Sequence, residues 1–167
     1  MPIPDFIVAL RSKIGHDLLW LPSVTAVVFD ADGRVLLVRR SDNGAWTLVT
    51  GCTDPGEQPA DAAIREVFEE TGVRAVPEAL IGVEATPPGV CANGDRVQWM
   101  DVAFRCRHVD GEARVNDDES VDVAWFDPAD APSLGPRQTR QLATALEGGD
   151  RAHFQFDGEA HTPTPAV

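Results

Sequence analysis

Apolar and polar positions along this chain change period from one stretch to the next. In residues 3–15, Phe6, Ile7, Leu10 and Ile14 recur at helical spacing, with Pro4 early and Gly15 as a stop, which predicts a short amphipathic helix. Residues 18–30 (LLWLPSVTAVVFD) read as a strand entering a core. Asp30-Ala31-Asp32-Gly33 carries hairpin-turn chemistry, and residues 34–40 (RVLLVRR) return as the next strand. A polar loop over 41–45 follows. The helical period returns at 59–72, where Pro59 suits a first turn and Gly72 a left-handed C-terminal cap. Ala60, Ala63, Ile64, Val67, Phe68 and Thr71 fall on one stripe there, predicted to face a core.

Strands are predicted at 79–85, 96–107 and 121–126, broken by Thr86-Pro87-Pro88-Gly89, Asn93-Gly94-Asp95 and Asp110-Gly111. Leu142, Ala145 and Leu146 mark a terminal helix over 137–147, ended by Gly148-Gly149. The segment HFQF (153–156) reads as a short edge strand, and the tail from Glu159 as disordered. No internal repeat is visible. The expected organisation is an N-terminal helix over 1–16, one domain over 17–157 and a flexible tail over 158–167. The helix is expected to cover the domain's own core, with a homodimer contact as the alternative.

Composition narrows the classes. At 167 residues the chain can bury a sizeable core in one domain. No run of eighteen apolar residues occurs and no secretory leader is visible, so no membrane span and a cytoplasmic location are the expectations. Three cysteines, Cys52, Cys91 and Cys106, lack paired metal spacing and fit a reducing compartment. The net charge of −13 disfavours long nucleic acid, whose binding relies on basic residues at phosphates. A small phosphorylated substrate is still compatible, because bound cations and a few arginines can reverse the local potential.

The chemistry concentrates in residues 51–73, GCTDPGEQPADAAIREVFEETGV. Glu66, Glu69 and Glu70 stand at i, i+3 and i+4 on a face other than the apolar stripe, so their carboxylates are expected to converge. A hard divalent cation would offset their repulsion, and oxygen-only ligands point to magnesium or manganese rather than zinc. The stretch resembles the signature of the Nudix hydrolase family, whose nine positions are filled here by Gly51, Glu57, Arg65, Glu66, Val67, Glu69, Glu70, Gly72 and Val73. Many members carry Pro-Gly-Gly where this chain has Val49-Thr50-Gly51; the final glycine is kept.

The resemblance implies an α/β fold, a mixed sheet in an α/β/α sandwich, with the catalytic loop and helix on one side. It implies a magnesium-dependent hydrolase, with manganese as a substitute, that cleaves a nucleoside diphosphate linked to another moiety. By the same resemblance, the metal ligands are expected to be Glu66, Glu69, Glu70 and the Gly51 carbonyl. Arg65 is expected to orient Glu57 or Glu66, while Glu57 and Gly72 support the motif. The general base is expected from the helix, as Glu66, or from the later acidic loop, as Glu119. Arg39 and Arg40 point to opposite faces of their strand, so at most one is expected to meet substrate. Trp46 is a stacking candidate, as are Trp20 and Trp99.

Substrate is less sharply implied. The chain has no tyrosine, unlike many family members that act on diadenosine polyphosphates, and it lacks the extended signature of the NADH-cleaving group. Pro87-Pro88 follows the motif at the distance seen in many ADP-ribose pyrophosphatases, so the reading leans toward ADP-ribose or a nucleotide sugar. A nucleoside triphosphate is the alternative. Two other classes share the fold: a nucleotide sensor without catalysis, and an isomerase of the isopentenyl diphosphate type using a cysteine such as Cys52 or Cys91.

Overall fold

The structure, a computed structural model, describes residues 4–91, 93–148 and 151–156. In chain order the elements are α1 (Asp5–Ile14), β1 (Leu19–Phe29), β2 (Val35–Arg40), β3 (Trp46–Thr47), β4 (Val49–Cys52), α2 (Pro59–Thr71) and β5 (Arg74–Ala85). Then follow β6 (Gly89–Val90), β7 (Arg96–Asp110), β8 (Ser120–Phe126), α3 (Pro136–Glu147) and β9 (His153–Phe154).

The long apolar run of β1 reflects a strand covered on both faces. Val24, Ala26 and Val28 join Leu36 and Val38 against Ala62, Ala63 and Val67 of α2. The intervening Val27 and Phe29 join Val35 and Leu37 against Leu142 and Ala145 of α3. Strand alternation thus divides one sheet between two helices, and the α/β/α sandwich is what results. Between them runs a mixed sheet in which β1 is parallel to β7, from Leu19↔Val97 to Phe29↔Arg107, and antiparallel to β2 and β4. Helix α1 closes one end, with Ile7 buried against Leu21 and Val97 and with Cys52 and Trp99 packed alongside. No helix among the described residues is long and apolar enough to cross a membrane.

Two boundaries and one helix face depart from the pattern reading. β5 starts at Arg74 rather than at residue 79, because register shifts around Pro77 let the ladder with β7 absorb a residue that cannot donate. β7 runs on to Asp110 as its partner. On α2 the predicted apolar stripe is wrong at Phe68, which is 43% exposed, whereas Glu66 and Glu70 are buried. The tail from Glu159 lies outside the described residues, as does Gly149.

Candidate active site

Helix α2 runs from Pro59 to a left-handed Gly72, and it is tied to the preceding loop by one arginine. Arg65 donates from Nε and Nη2 to the two Glu57 oxygens, at 2.8 and 2.9 Å. Its Nη1 reaches Glu66 at 2.8 Å and Glu69 at 3.1 Å, and Nη2 also reaches the Cys52 carbonyl at 3.0 Å. Glu57 in turn accepts the Asp54 backbone N–H. A planar fork with several donors can hold loop, strand and helix in one geometry, which a lysine could not. The Glu66 carboxyl group is folded directly onto Gly51: a β-carbon there would lie 1.9 Å from the Glu66 Cδ. Only glycine leaves that space.

Glu70 is 5% exposed and faces a cavity of about 260 Å³ bounded by Arg40, Thr50 and Glu119. Burial, then the charges of Glu66, Asp117 and Glu119, push its carboxyl up to about 8, with Arg40 opposing. Burial likewise pushes Glu66 up to about 7, against the pull of Arg65. Glu119 arrives there because its loop docks on the end of α2. Asn116 Nδ2 donates to the Phe68 and Glu69 carbonyls, its backbone N–H to Glu70, and the Arg114 N–H to Thr71. The Phe68 carbonyl also accepts the Gly72 N–H, and the other carbonyls of this last turn find their partners in the loop.

The structure therefore brings Glu66, Glu70, Gly51, Arg65, Glu119 and Arg40 together. Two expectations need correction, at Glu69 and at Trp46. Glu66, Glu69 and Glu70 do not converge: among the described residues no three acidic, histidine or cysteine side chains are grouped as a metal cage. At 3.6 residues per turn, Glu70 stands about 40° to one side of Glu66 and Glu69 about 60° to the other. Glu69 borders a different cavity, with Asp54 and Phe68. Arg39 turns back to the Gly44 carbonyl at 3.1 Å, while Arg40, paired with Asp42, lies at the cleft. Trp46, half-buried, packs edge-on against Phe126, with ring centroids 4.9 Å apart, against the core cluster that includes Leu142 and Ala145 of α3.

A second cavity of about 360 Å³ shares Arg40 and Thr50 with the first and extends past Gly51 to Trp99 and Arg137. Of the three tryptophans, Trp99 is the one at this cleft. Pattern reading missed Arg137 and Asp101, joined across the fold, and Asn116, whose role depends on its contact with the end of α2. Asp117 Oδ2 is buried with no hydrogen-bond partner among the described residues. A larger cavity, about 700 Å³, lies between β5 and α3, away from this group. Charge, not size, marks the site.

The NUDIX domain family matches residues 19–146, most of the chain. The chain belongs to the Nudix family. It is a hydrolase of phosphoric anhydride bonds, the activity of that family. It is similar to a MutT-like protein of Streptomyces ambofaciens, 34% identical over 143 residues, covering 84% of this chain and 86% of that one. It is also similar to the human 8-oxo-dGDP phosphatase NUDT18, 32% identical over 116 residues, covering 66% of this chain and 33% of that one. Among solved structures, an ADP-ribose pyrophosphatase from Streptococcus suis superposes with a TM-score of 0.60 at 27% identity, covering 81% of this chain and 96% of that one.

Nudix hydrolases generally need a divalent metal, and the donors here fit one. Glu66 and Glu70 are buried carboxylates whose proton affinity is raised chiefly by burial, with neighbouring acidic charges adding to it. With the Gly51 carbonyl they would supply an all-oxygen set short of a full shell. Magnesium suits that arrangement, since it keeps several waters and completes its shell with substrate phosphates. Cys52 does not suit nucleophilic work: burial and nearby Asp54 and Glu66 push its thiol up to about 11, so it stays protonated.

Proposed function

We propose that this Nudix protein hydrolyses the pyrophosphate bond of a nucleoside diphosphate linked to another moiety, using magnesium, or manganese in its place. The observation that carries the reading is the buried Glu66–Glu70 pair beside Gly51, opening on a cleft that also holds Arg40 and Glu119. Glu66, Glu70 and the Gly51 carbonyl would hold the cation, with Glu69 one step removed. When bound, the cation supplies positive charge against that developing on the cleaved phosphates.

The chain's own residues do the rest. Glu119 takes a proton from the attacking water as its oxygen bonds to phosphorus and the anhydride P–O bond breaks. Arg40 contacts a phosphate from the junction of the two cavities. Arg65 does not touch substrate; it holds Glu66 and fixes the loop through Glu57.

Two substrate readings divide the leaving group. The loop carrying Pro87-Pro88 begins at Thr86, which borders the second cavity, and this favours ADP-ribose or a nucleotide sugar. The similarity to an 8-oxo-dGDP phosphatase favours a nucleoside di- or triphosphate. Incubation with magnesium and a panel of both classes, with products separated by chromatography, decides between them. A nucleotide sugar yields a nucleoside monophosphate and a sugar phosphate, whereas a triphosphate yields a monophosphate and pyrophosphate. Binding without cleavage across the panel would instead make the protein a nucleotide sensor.

A further inference from the structure

Asp101 is 1% exposed, yet its carboxylate is met by donors from two elements, β1 and α3. Thr25 Oγ1 lies at 2.9 Å, Ser23 Oγ at 3.1 Å, Gln141 Nε2 at 2.7 Å and Arg137 Nη1 at 2.6 Å. The parallel register of β1 and β7 sets Ser23 opposite Asp101, and α3 brings Arg137 and Gln141 over them. A buried ion pair is weak evidence for stability, because well-packed apolar residues often serve as well. Its placement is more informative. Arg137 borders the 360 Å³ cavity opposite Gly51, in the company of Trp99.

Only one nitrogen of Arg137 is engaged: Nη1 carries the bonds to Asp101 and Thr25, and neither Nε nor Nη2 bonds a described residue. The guanidinium charge is matched by Asp101, so the pair offers a fixed set of donors with little net charge. Such a group suits neutral carbonyl acceptors better than phosphate, whose place is at the Glu70 end of the cleft. A flat indole beside fixed donors is the chemistry of a nucleobase seat. An arginine fork meets the adjacent oxygen and nitrogen acceptors of guanine, whereas adenine presents an amino donor where the oxygen would be.

We propose that Arg137, anchored by Asp101, is a specificity-determining residue that selects guanine over adenine in the substrate. The inference rests on the nucleotide-hydrolase reading, and it turns the substrate preference away from ADP-ribose, whatever the leaving group. The test compares GTP with ATP, which differ only in the base, in wild type and in Arg137→Lys. Lysine keeps a positive charge for Asp101 but loses the fork, so folding is spared. Wild type should favour GTP in kcat/KM by about tenfold or more, and the variant should bring the ratio within about threefold. GMP and AMP binding, followed by thermal shift, should give the same ranking without turnover.

A wild-type ratio at or below one, or a ratio that Arg137→Lys leaves unchanged, overturns the proposal while hydrolysis itself stands. If no nucleotide is hydrolysed but GMP binds better than AMP only when Arg137 is present, the hydrolase reading falls and the selectivity stands.

Discussion

The molecule buries two carboxylate centres at opposite ends of one cleft, and it treats them in opposite ways. Asp101 is surrounded by hydroxyl, amide and guanidinium donors. Glu70 is surrounded by Glu66, Asp117 and Glu119, with Arg40 as the opposing charge. A buried charge costs several kcal/mol unless it is compensated. Asp101 is compensated by the fold itself, so it is an anchor. Glu70 is under-compensated, which is what the proposed cation site requires.

The largest expected effect separates catalysis from binding at the Glu70 end. Glu119→Gln should lower kcat by about 10²–10⁴-fold while leaving manganese affinity nearly unchanged, because a base is lost but the proposed cation ligands remain. Glu66→Gln should lower both. If Glu119→Gln keeps wild-type kcat, Glu66 takes over the role of base.

Stability should respond in the opposite order. Asp101→Asn strips the ion pair from Arg137 and should cost about 1–3 kcal/mol, read as a lower Tm or denaturant midpoint. Glu70→Gln removes a charge from a crowd of like charges, so the metal-free protein should melt no lower at pH 8 than wild type. Equal losses from the two substitutions would erase the contrast between anchor and cation site.

Why the sequence revealed one centre and not the other is a matter of distance along the chain. Pro59, Gly72, Glu57, Arg65 and the three glutamates lie within a single loop and helix, so their relations follow from helical geometry. Even there, hydrophobicity misled. It assigned Phe68 to the core and set the glutamates off the buried stripe, because a pattern reading cannot anticipate a helix that buries Glu66 and Glu70. Asp101, Thr25 and Arg137 are joined only by the β1–β7 register and the return of α3. The docking of Asn116 on α2 is equally non-local. No periodicity records such contacts.

A subtler effect concerns pH. Glu66 and Glu70 titrate near 7 and 8 in the folded protein but at the ordinary 4.5 when unfolded. The native state therefore binds more protons across that window, so the metal-free protein is most stable below about pH 4.5 as far as these groups act. Their contribution is lost as pH rises through 7 and 8. Magnesium replaces the protons, so the rise in Tm that it gives should be larger at pH 8 than at pH 6. Glu70→Gln should flatten this difference.

Manganese binding, followed by the electron paramagnetic resonance of the free ion, tests the contrast most directly in wild type, Glu70→Gln and Asp101→Asn. The account predicts that Glu70→Gln weakens the site by on the order of tenfold or more, since affinity follows the charge of the ligand set. Asp101→Asn should leave it within about threefold, as a carboxylate already satisfied by the fold is no ligand. Wild-type affinity in Glu70→Gln, or an equal loss in both variants, would contradict it.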